Sequence, residues 1–267
     1  MRAAQGQIFK AWRVKASQTM CLCLILLAIP VAAEESGYGN LIAKGDLAGK
    51  NGDVATALNA YAAAEKLEAA NSTNLCALTK CFCDLMHATR SPELQEKVAT
   101  AALECAEAAV KADPRNATAH ICVAICYAKN FPYADNRAKV AYSRSIKTES
   151  ERAIQLDPGQ DVAYYLLGRW NYGVANMNLL YRGLVRIVYG GLPSASNAEA
   201  IKDLKHAITL NPRRIIHHEQ LAEVYTATGD KELARHELLK CAGLKPLDKD
   251  DAEAQADAAK ELVALTK

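Results

Sequence analysis

Four prolines set the register of this chain. Pro114, Pro158, Pro212 and Pro246 each follow a small residue by five positions: Ala109, Ala153, Ala207 and Cys241. The local strings are AAVKADP, ERAIQLDP, KHAITLNP and KCAGLKP. Proline lacks an N–H and restricts the residue before it, so a helix ends at each of these sites. A chain punctuated in this way is confined to short helices that meet at regular intervals. Composition agrees, since 51% of the 267 residues are apolar while Gly and Pro number only 14 and 8. The expected class is all-α, with no β-sheet.

The last interval is the cleanest. Pro212 to Pro246 is 34 residues. Within it, Leu221, Ala222 and Tyr225 share one face of a first helix. Gly229 and Asp230 make the turn, and Ala234 and Leu238 let a second helix pack closely. This is the helix–turn–helix of a tetratricopeptide (TPR) unit, which buries its core only by stacking on its neighbours. A first unit spans Tyr38 to Asn71, with Gly45 at the close-packing position, Asn51-Gly52-Asp53 at the turn, then Ala57, Tyr61 and Ala64. Between these two, the Pro114–Pro158 and Pro158–Pro212 intervals are 44 and 54, which is 10 and 20 over the period. Such insertions map to loops or extended helices.

Capping signals complete the outline. Ser91-Pro92 supplies an N-cap and a proline at the first helical position. Ser196…Glu199 is a capping box opening a helix that runs to Thr209. Asp248 caps a final helix of Lys249 to Leu265, with Leu262 and Leu265 inward, covering the open end of the stack. Residues 36–267 are therefore expected to form a TPR-like helical-repeat solenoid, an α-α superhelix of about five units with a C-terminal capping helix.

The first 33 residues stand apart. Arg2, Lys10, Arg13 and Lys15 form a basic start without acid, Met20 to Ile29 is apolar, and Val31-Ala32-Ala33 precede Glu34 as a cleavage site would. Residues 1–33 read as a secretory signal peptide, and the protein as periplasmic or secreted. The alternative is an uncleaved signal anchor, although the apolar run is shorter than the ~20 residues a spanning helix needs. Removing the segment takes away four positive charges, turning the whole-chain balance of +2 into −2 for residues 34–267. The basic character belongs to the targeting segment, so no nucleic-acid partner is implied.

Several strings resemble one known family. They are His120-Ile121-Cys122-Val123-Ala124-Ile125-Cys126, then Ile146-Lys147 with Glu151 to Pro158, then Leu166-Leu167-Gly168-Arg169-Trp170, Leu192-Pro193-Ser194 and the acidic Lys249-Asp250-Asp251. From about Ser36 to Lys267 the chain resembles the regulator of microtubule dynamics family. Cys122 and Leu179 stand where that family usually has Trp. The resemblance implies a TPR-like helical protein without catalytic activity. Some family members associate with microtubules, and others sit at organelle contacts and handle phospholipid. An exported protein does not meet microtubules, so the fold and its groove are what carry over.

Catalytic and metal chemistry find little support. No GxSxG, HExxH, P-loop or GxGxxG string is present, and no nucleophile has a base at a meaningful spacing, so no enzyme activity and no cofactor are expected. Seven cysteines lie beyond residue 33: Cys76, Cys81, Cys83, Cys105, Cys122, Cys126 and Cys241. Cys122–Cys126 and Cys83–His87 are spaced i, i+4, as two metal ligands on one helix can be. Without a second fixed pair they read as core thiols packed as small hydrophobes. His217-His218-Glu219 point in different directions on a helix, so they do not converge on a metal either. Asn71-Ser72-Thr73 and Asn116-Ala117-Thr118 match the glycosylation acceptor pattern, which matters in a eukaryotic host.

The remaining candidate is the acid-free tract between Asp161 and Glu199. Tyr165, Arg169 and Tyr172 are spaced i, i+4, i+7 on one helix face. Residues 179–189, LLYRGLVRIVY, form an amphipathic helix with Arg182 and Arg186. They are expected to fold back and fill the concave side of the stack; the alternative is contact with a membrane or a lipid-like ligand. In the TPR register the inward positions are His120 and Tyr127, then Tyr165, Arg169 and Tyr172, then Glu219 and Glu223. A protein or peptide partner on this concave face is the first expectation, and a lipid-like amphipathic ligand the second. Arg169 between tyrosines suits a carboxylate or phosphate; a structural ion pair with Glu219 and Glu223 is the competing role.

Overall fold

Short helices end where the sequence stops them. The computed structural model describes residues 37–265, and the apolar segment with its predicted cleavage site lies outside them. Among the described residues there are twelve α-helices, one 3-10 turn and no strand. They pair in order: α1 (Tyr38–Lys50) with α2 (Val54–Leu67), α3 (Ser72–Ala88) with α4 (Pro92–Ala112), and α5 (Ala117–Asn130) with α6 (Asn136–Leu156). Then α7 (Asp161–Ala175) pairs with α9 (Asn197–Leu210) and α10 (Ile215–Thr228) with α11 (Lys231–Gly243), with α8 (Leu179–Tyr189) inserted inside the fourth pair. Helix α12 (Lys249–Leu265) follows the fifth.

The sequence signals act as read. Ser91 Oγ accepts from the Leu94 N–H with Pro92 at the first helical turn, and Ser196 Oγ accepts from the Glu199 N–H at 3.1 Å. The glycosylation-pattern residues Asn71 and Asn116 are also caps, accepting from the N–H groups of Asn74 and Thr118. Two glycines are required by close approach. A Cβ on Gly45 would lie 2.2 Å from the Tyr61 ring, and one on Gly168 would lie 2.5 Å from Leu204 Cγ. Gly229 turns α10 into α11 at φ 86°, a left-handed conformation that a side chain disfavours. The first three units bury one apolar cluster that includes Tyr61, Leu78, Phe82, Val98 and Ala106, and smaller clusters continue the core through α7 to α12.

The two long intervals resolve differently. The ten extra residues of the third unit lie in the Phe131–Tyr133 turn and in α6, which has 21 residues against 13 in α11. The twenty extra residues of the fourth unit become α8 and its return. Contrary to the sequence expectation, α8 does not fill the concave side. Asn178 caps its start and Gly190 ends it at φ 77°, while the outer helix α6 fixes its far end through Arg144, which donates to the Gly191 carbonyl at 3.2 Å. Arg182 on its polar side adds a further tie, donating to the Val174 and Ala175 carbonyls. The apolar face is thereby turned outward.

The concave side is closed by α12 instead. Its Ala254, Ala258, Leu262 and Leu265 pack on the fifth unit, as an end cap would. Its first turns also reach back to the second and third units. Lys249 Nζ donates to the Asp84 carbonyl at 3.3 Å, and His87 lies 3.1 Å from Asp250 and 2.9 Å from Glu253. A solenoid unit ordinarily touches only its neighbours; here contacts between residues more than 160 positions apart bridge the groove.

Candidate functional site

The closure leaves a cavity of about 850 Å³ lined by α3, α5, α7, α10 and α12. These are the first helices of units two to five plus the terminal helix. The floor is apolar and thiol-bearing, with Ala77, Ile121, Ile125, Val162, Leu166, Ile216 and the sulfurs of Cys76, Cys83 and Cys122. The walls are charged, and most of those charges are already matched. Arg214 meets Asp248 at 2.7 Å, Lys80 meets Asp84 at 3.5 Å, and Lys129 lies 3.7 Å from Asp250.

Two charged groups lining the cavity, Arg169 and Glu219, make no close ion pair. Arg169 Nη1 donates to the Tyr165 hydroxyl at 3.2 Å, and its guanidinium lies 5.7 Å from that ring. Among the described residues no carboxylate comes within 4.0 Å of it, so the ion pair with Glu219 or Glu223 does not form. Glu219, on the neighbouring helix α10, lines the same cavity and interacts with Arg169 through charge. Burial, reinforced by the neighbouring Glu223 and only partly opposed by Arg169, pushes its carboxyl up to about 7. Glu223 is engaged by the Gln220 amide and also lies against the Tyr172 hydroxyl.

The seven sequence-chosen residues divide. Tyr165, Arg169, Glu219 and Glu223 line the cavity together. Tyr172 sits one turn further along α7, packed on the α9–α11 cluster, and reaches the site through Glu223. His120 and Tyr127 face elsewhere. Tyr127 stacks on Tyr142 with centroids 5.0 Å apart and donates to Glu107 at 3.1 Å, on the outer side of α5. His120 is buried with Nδ1 2.5 Å from Glu149 and Nε2 3.0 Å from the Pro114 carbonyl.

That last arrangement recurs. His218 Nδ1 lies 2.6 Å from Glu237 and its Nε2 3.0 Å from the Pro212 carbonyl. Each histidine stands six residues after its repeat proline and ties the inter-unit loop to the second helix of its own unit. The pair is therefore a repeated structural clasp. Burial alone would raise Glu237, yet hydrogen bonds from His218 and Lys240 hold its carboxyl down at about 2. A carboxyl lowered on folding stabilises above its ordinary value of ~4.3 and loses that contribution as pH falls toward 2. Glu237→Gln is expected to flatten the melting temperature across that acid range, a change that thermal melts at stepped pH would show.

The candidate metal spacings do not converge. Cys83 contacts Cys126 across the α3–α5 interface, and Cys76 contacts Cys122. His87 turns away from Cys83 to Asp250 and Glu253. The ligand atoms of these three lie close together, and Lys129 Nζ stands 3.3 Å from the His87 ring. Its hydrogen bond with Asp250 raises His87, and the same bond lowers Asp250. Sequence reasoning missed this latch because its halves, which meet in the fold, lie far apart in the chain, 166 positions for His87 and Glu253.

Paired antiparallel helices, a repeat proline register and an enclosed concave face define a TPR-like helical-repeat protein. A Thermus thermophilus TPR protein of known structure superposes on it with a TM-score of 0.55 at 20% identity, covering 84% of this chain and 99% of that one. More particularly, the chain belongs to the regulator of microtubule dynamics family: the model of regulator of microtubule dynamics protein 1-3 matches residues 41–266. Protein 1 of Mus musculus is 27% identical over 184 residues, 68% of this chain and 60% of that protein. Protein 3 of Xenopus laevis is 28% identical over 181 residues, 66% of this chain and 38% of that protein. Protein 1 of Caenorhabditis elegans is 26% identical over 172 residues, 64% of this chain and 76% of that protein. The chain thus spans less than two thirds of the length of the mouse and frog relatives.

Proposed function

We propose that the protein is a non-catalytic binding module that holds a segment of a partner polypeptide in the concave cavity beneath α12. The observation that carries this reading is the pair of charged groups Arg169 and Glu219 on the neighbouring helices α7 and α10, beside an apolar floor, close enough to feel each other's charge yet not joined in an ion pair. A guanidinium without a carboxylate suits a carboxylate or carbonyl oxygen. A carboxyl held half-neutral by its surroundings suits an incoming cation, which would restore its charge. A peptide with a basic side chain near a backbone or terminal oxygen meets both demands and lays its apolar neighbours on Ile121, Ile125 and Leu166.

The reading has a pH signature. The folded state keeps the Glu219 proton to higher pH than the unfolded chain does, so stability should fall as pH rises from ~4.3 through 7. Partner affinity should move the other way, rising as pH passes 7 and Glu219 ionises. Glu219→Gln is expected to flatten both trends. Arg169→Ala and Arg169→Lys should each weaken the partner at unchanged melting temperature, because Lys keeps the charge but loses the planar fork. Normal binding by both Arg169 variants would refute the assignment.

A second reading, a carrier of a phospholipid-like amphipathic ligand, draws on the same apolar floor and on the Arg169 guanidinium. Organic extraction of the purified protein followed by mass spectrometry separates the two, since co-purifying lipid favours the carrier. Localisation belongs to the same proposal. Residues 1–33 direct the chain out of the cytoplasm, and N-terminal sequencing of the native protein should start near Glu34. Retention of Met1 in a membrane fraction would favour the anchored form. The relatives' names concern microtubule dynamics, and a start at Glu34 would separate this chain from that role.

A further inference from the structure

Helix α8 exposes the large apolar side chains of Leu179, Leu180, Leu184, Ile187 and Val188, with Leu180 and Ile187 each 85% exposed. Its one buried residue is Val185, on the opposite side. At about 3.6 residues per turn, the five exposed residues and Gly183 sweep one continuous half of the helix surface. Tyr181 borders that arc on one edge and Arg186 on the other. An isolated outward Leu needs no explanation, but a continuous apolar face on an eleven-residue helix does.

The protein holds this face in place. Arg182 and Arg144 are spent on backbone carbonyls at the two ends, and Asn178 caps the first turn at 2.9 Å. Arg186 is different: it makes no hydrogen bond or ion pair with any described residue, and it is exposed. No acid occurs from Val162 to Ala198, so nothing within the tract neutralises it.

We propose that α8 is a membrane-docking helix that lies in the plane of an anionic lipid surface. Its five apolar side chains enter the acyl boundary while Arg186 meets headgroup phosphate or carboxylate. Tyr181 sits at the depth where amphipathic rings prefer the interface. The helix is too short to cross a bilayer, for which ~20 residues are needed, and no helix among the described residues is long and apolar enough to do so. The acid-free cationic border selects this occupant over a second copy of the chain. A two-fold pairing of α8 would bring the arginines of both copies onto one seam without a counter-charge. The inference stands independently of what the cavity binds.

The test is co-sedimentation of the full chain with phosphatidylcholine vesicles, with and without phosphatidylserine. Wild type should sediment with the anionic vesicles and less with the neutral ones. Leu180→Ser with Ile187→Ser should cut binding on the order of tenfold at unchanged circular dichroism and melting temperature, since both side chains are exposed. Arg186→Ala should remove most of the preference for phosphatidylserine, as should raised salt. An Ile187→Trp variant gives a local readout, whose added emission should shift to the blue with anionic vesicles. Equal sedimentation of wild type and the double variant overturns the proposal and assigns any vesicle binding to another segment, such as residues 20–29. No sedimentation, or a concentration-dependent dimer that the double variant abolishes, overturns it as well.

Discussion

Asp251→Ala should lower stability by about 3–5 kcal/mol, the cost of removing one member of a buried charge pair. Asp251 is fully buried in the first turn of α12. One carboxylate oxygen accepts from the N–H groups of Ile215 and Ile216, at 3.0 and 3.2 Å. The other accepts from Leu247 N–H at 3.1 Å and lies 3.6 Å from Arg214. The residue preceding α10 is Arg214, which has no side-chain acceptor to offer, so Asp251 caps that helix from another element. Alanine leaves Ile215 and Ile216 with buried, unpaired donors, each costing about 1–3 kcal/mol. Asn keeps one acceptor and should recover part of the loss. Urea melts of the three proteins decide this; a loss below about 1 kcal/mol for Ala would show that α10 does not depend on the borrowed cap.

Trp170→Ala should cost a similar ~3–5 kcal/mol, through a different mechanism. The ring is buried between Ile146 on α6 and Val174 on α7, with Leu192 and Ala195 of the α8 return packed against the same cluster. Its Nε1–H donates to the Ser143 carbonyl at 2.7 Å, with the Ser143 hydroxyl at 3.0 Å. Trp170 therefore joins the third unit, the fourth unit and the inserted segment at one point. Trp170→Phe separates the contributions, since it keeps most of the ring and loses only the hydrogen bond, worth about 1 kcal/mol. If Phe and Ala proved equally damaging, the hydrogen bond rather than the packing would dominate.

What the sequence displayed followed from the range of the interactions. Ser91-Pro92, Ser196…Glu199, Gly229 and the repeat prolines act within a few residues, so helix bounds and the five pairs could be read directly. Gly45 and Gly168 were readable as gaps because the repeat places a partner helix at a fixed offset. The outward turn of α8 was hidden because Arg144 reaches it from 45 residues away. An amphipathic helix looks the same in sequence whether its apolar face meets a core or is left open. The clasp histidines did leave a signal: His120 and His218 each stand six residues after a repeat proline. Comparing these offsets would have removed His120 from the concave set. The His87–Asp250 latch left none, since its residues belong to no shared period.

The central claim is that the cavity beneath α12 holds a polypeptide through Arg169 and Glu219. The most direct measurement replaces Ile125 on the cavity floor with the photo-crosslinking residue benzoylphenylalanine and irradiates the protein in its native host. The same substitution at Leu239, exposed on α11, is the control. The prediction is a discrete polypeptide adduct at position 125, absent at 239, and lost when Arg169→Ala and Glu219→Gln are combined. A lipid adduct at position 125, or an identical adduct pattern at both positions, would contradict it.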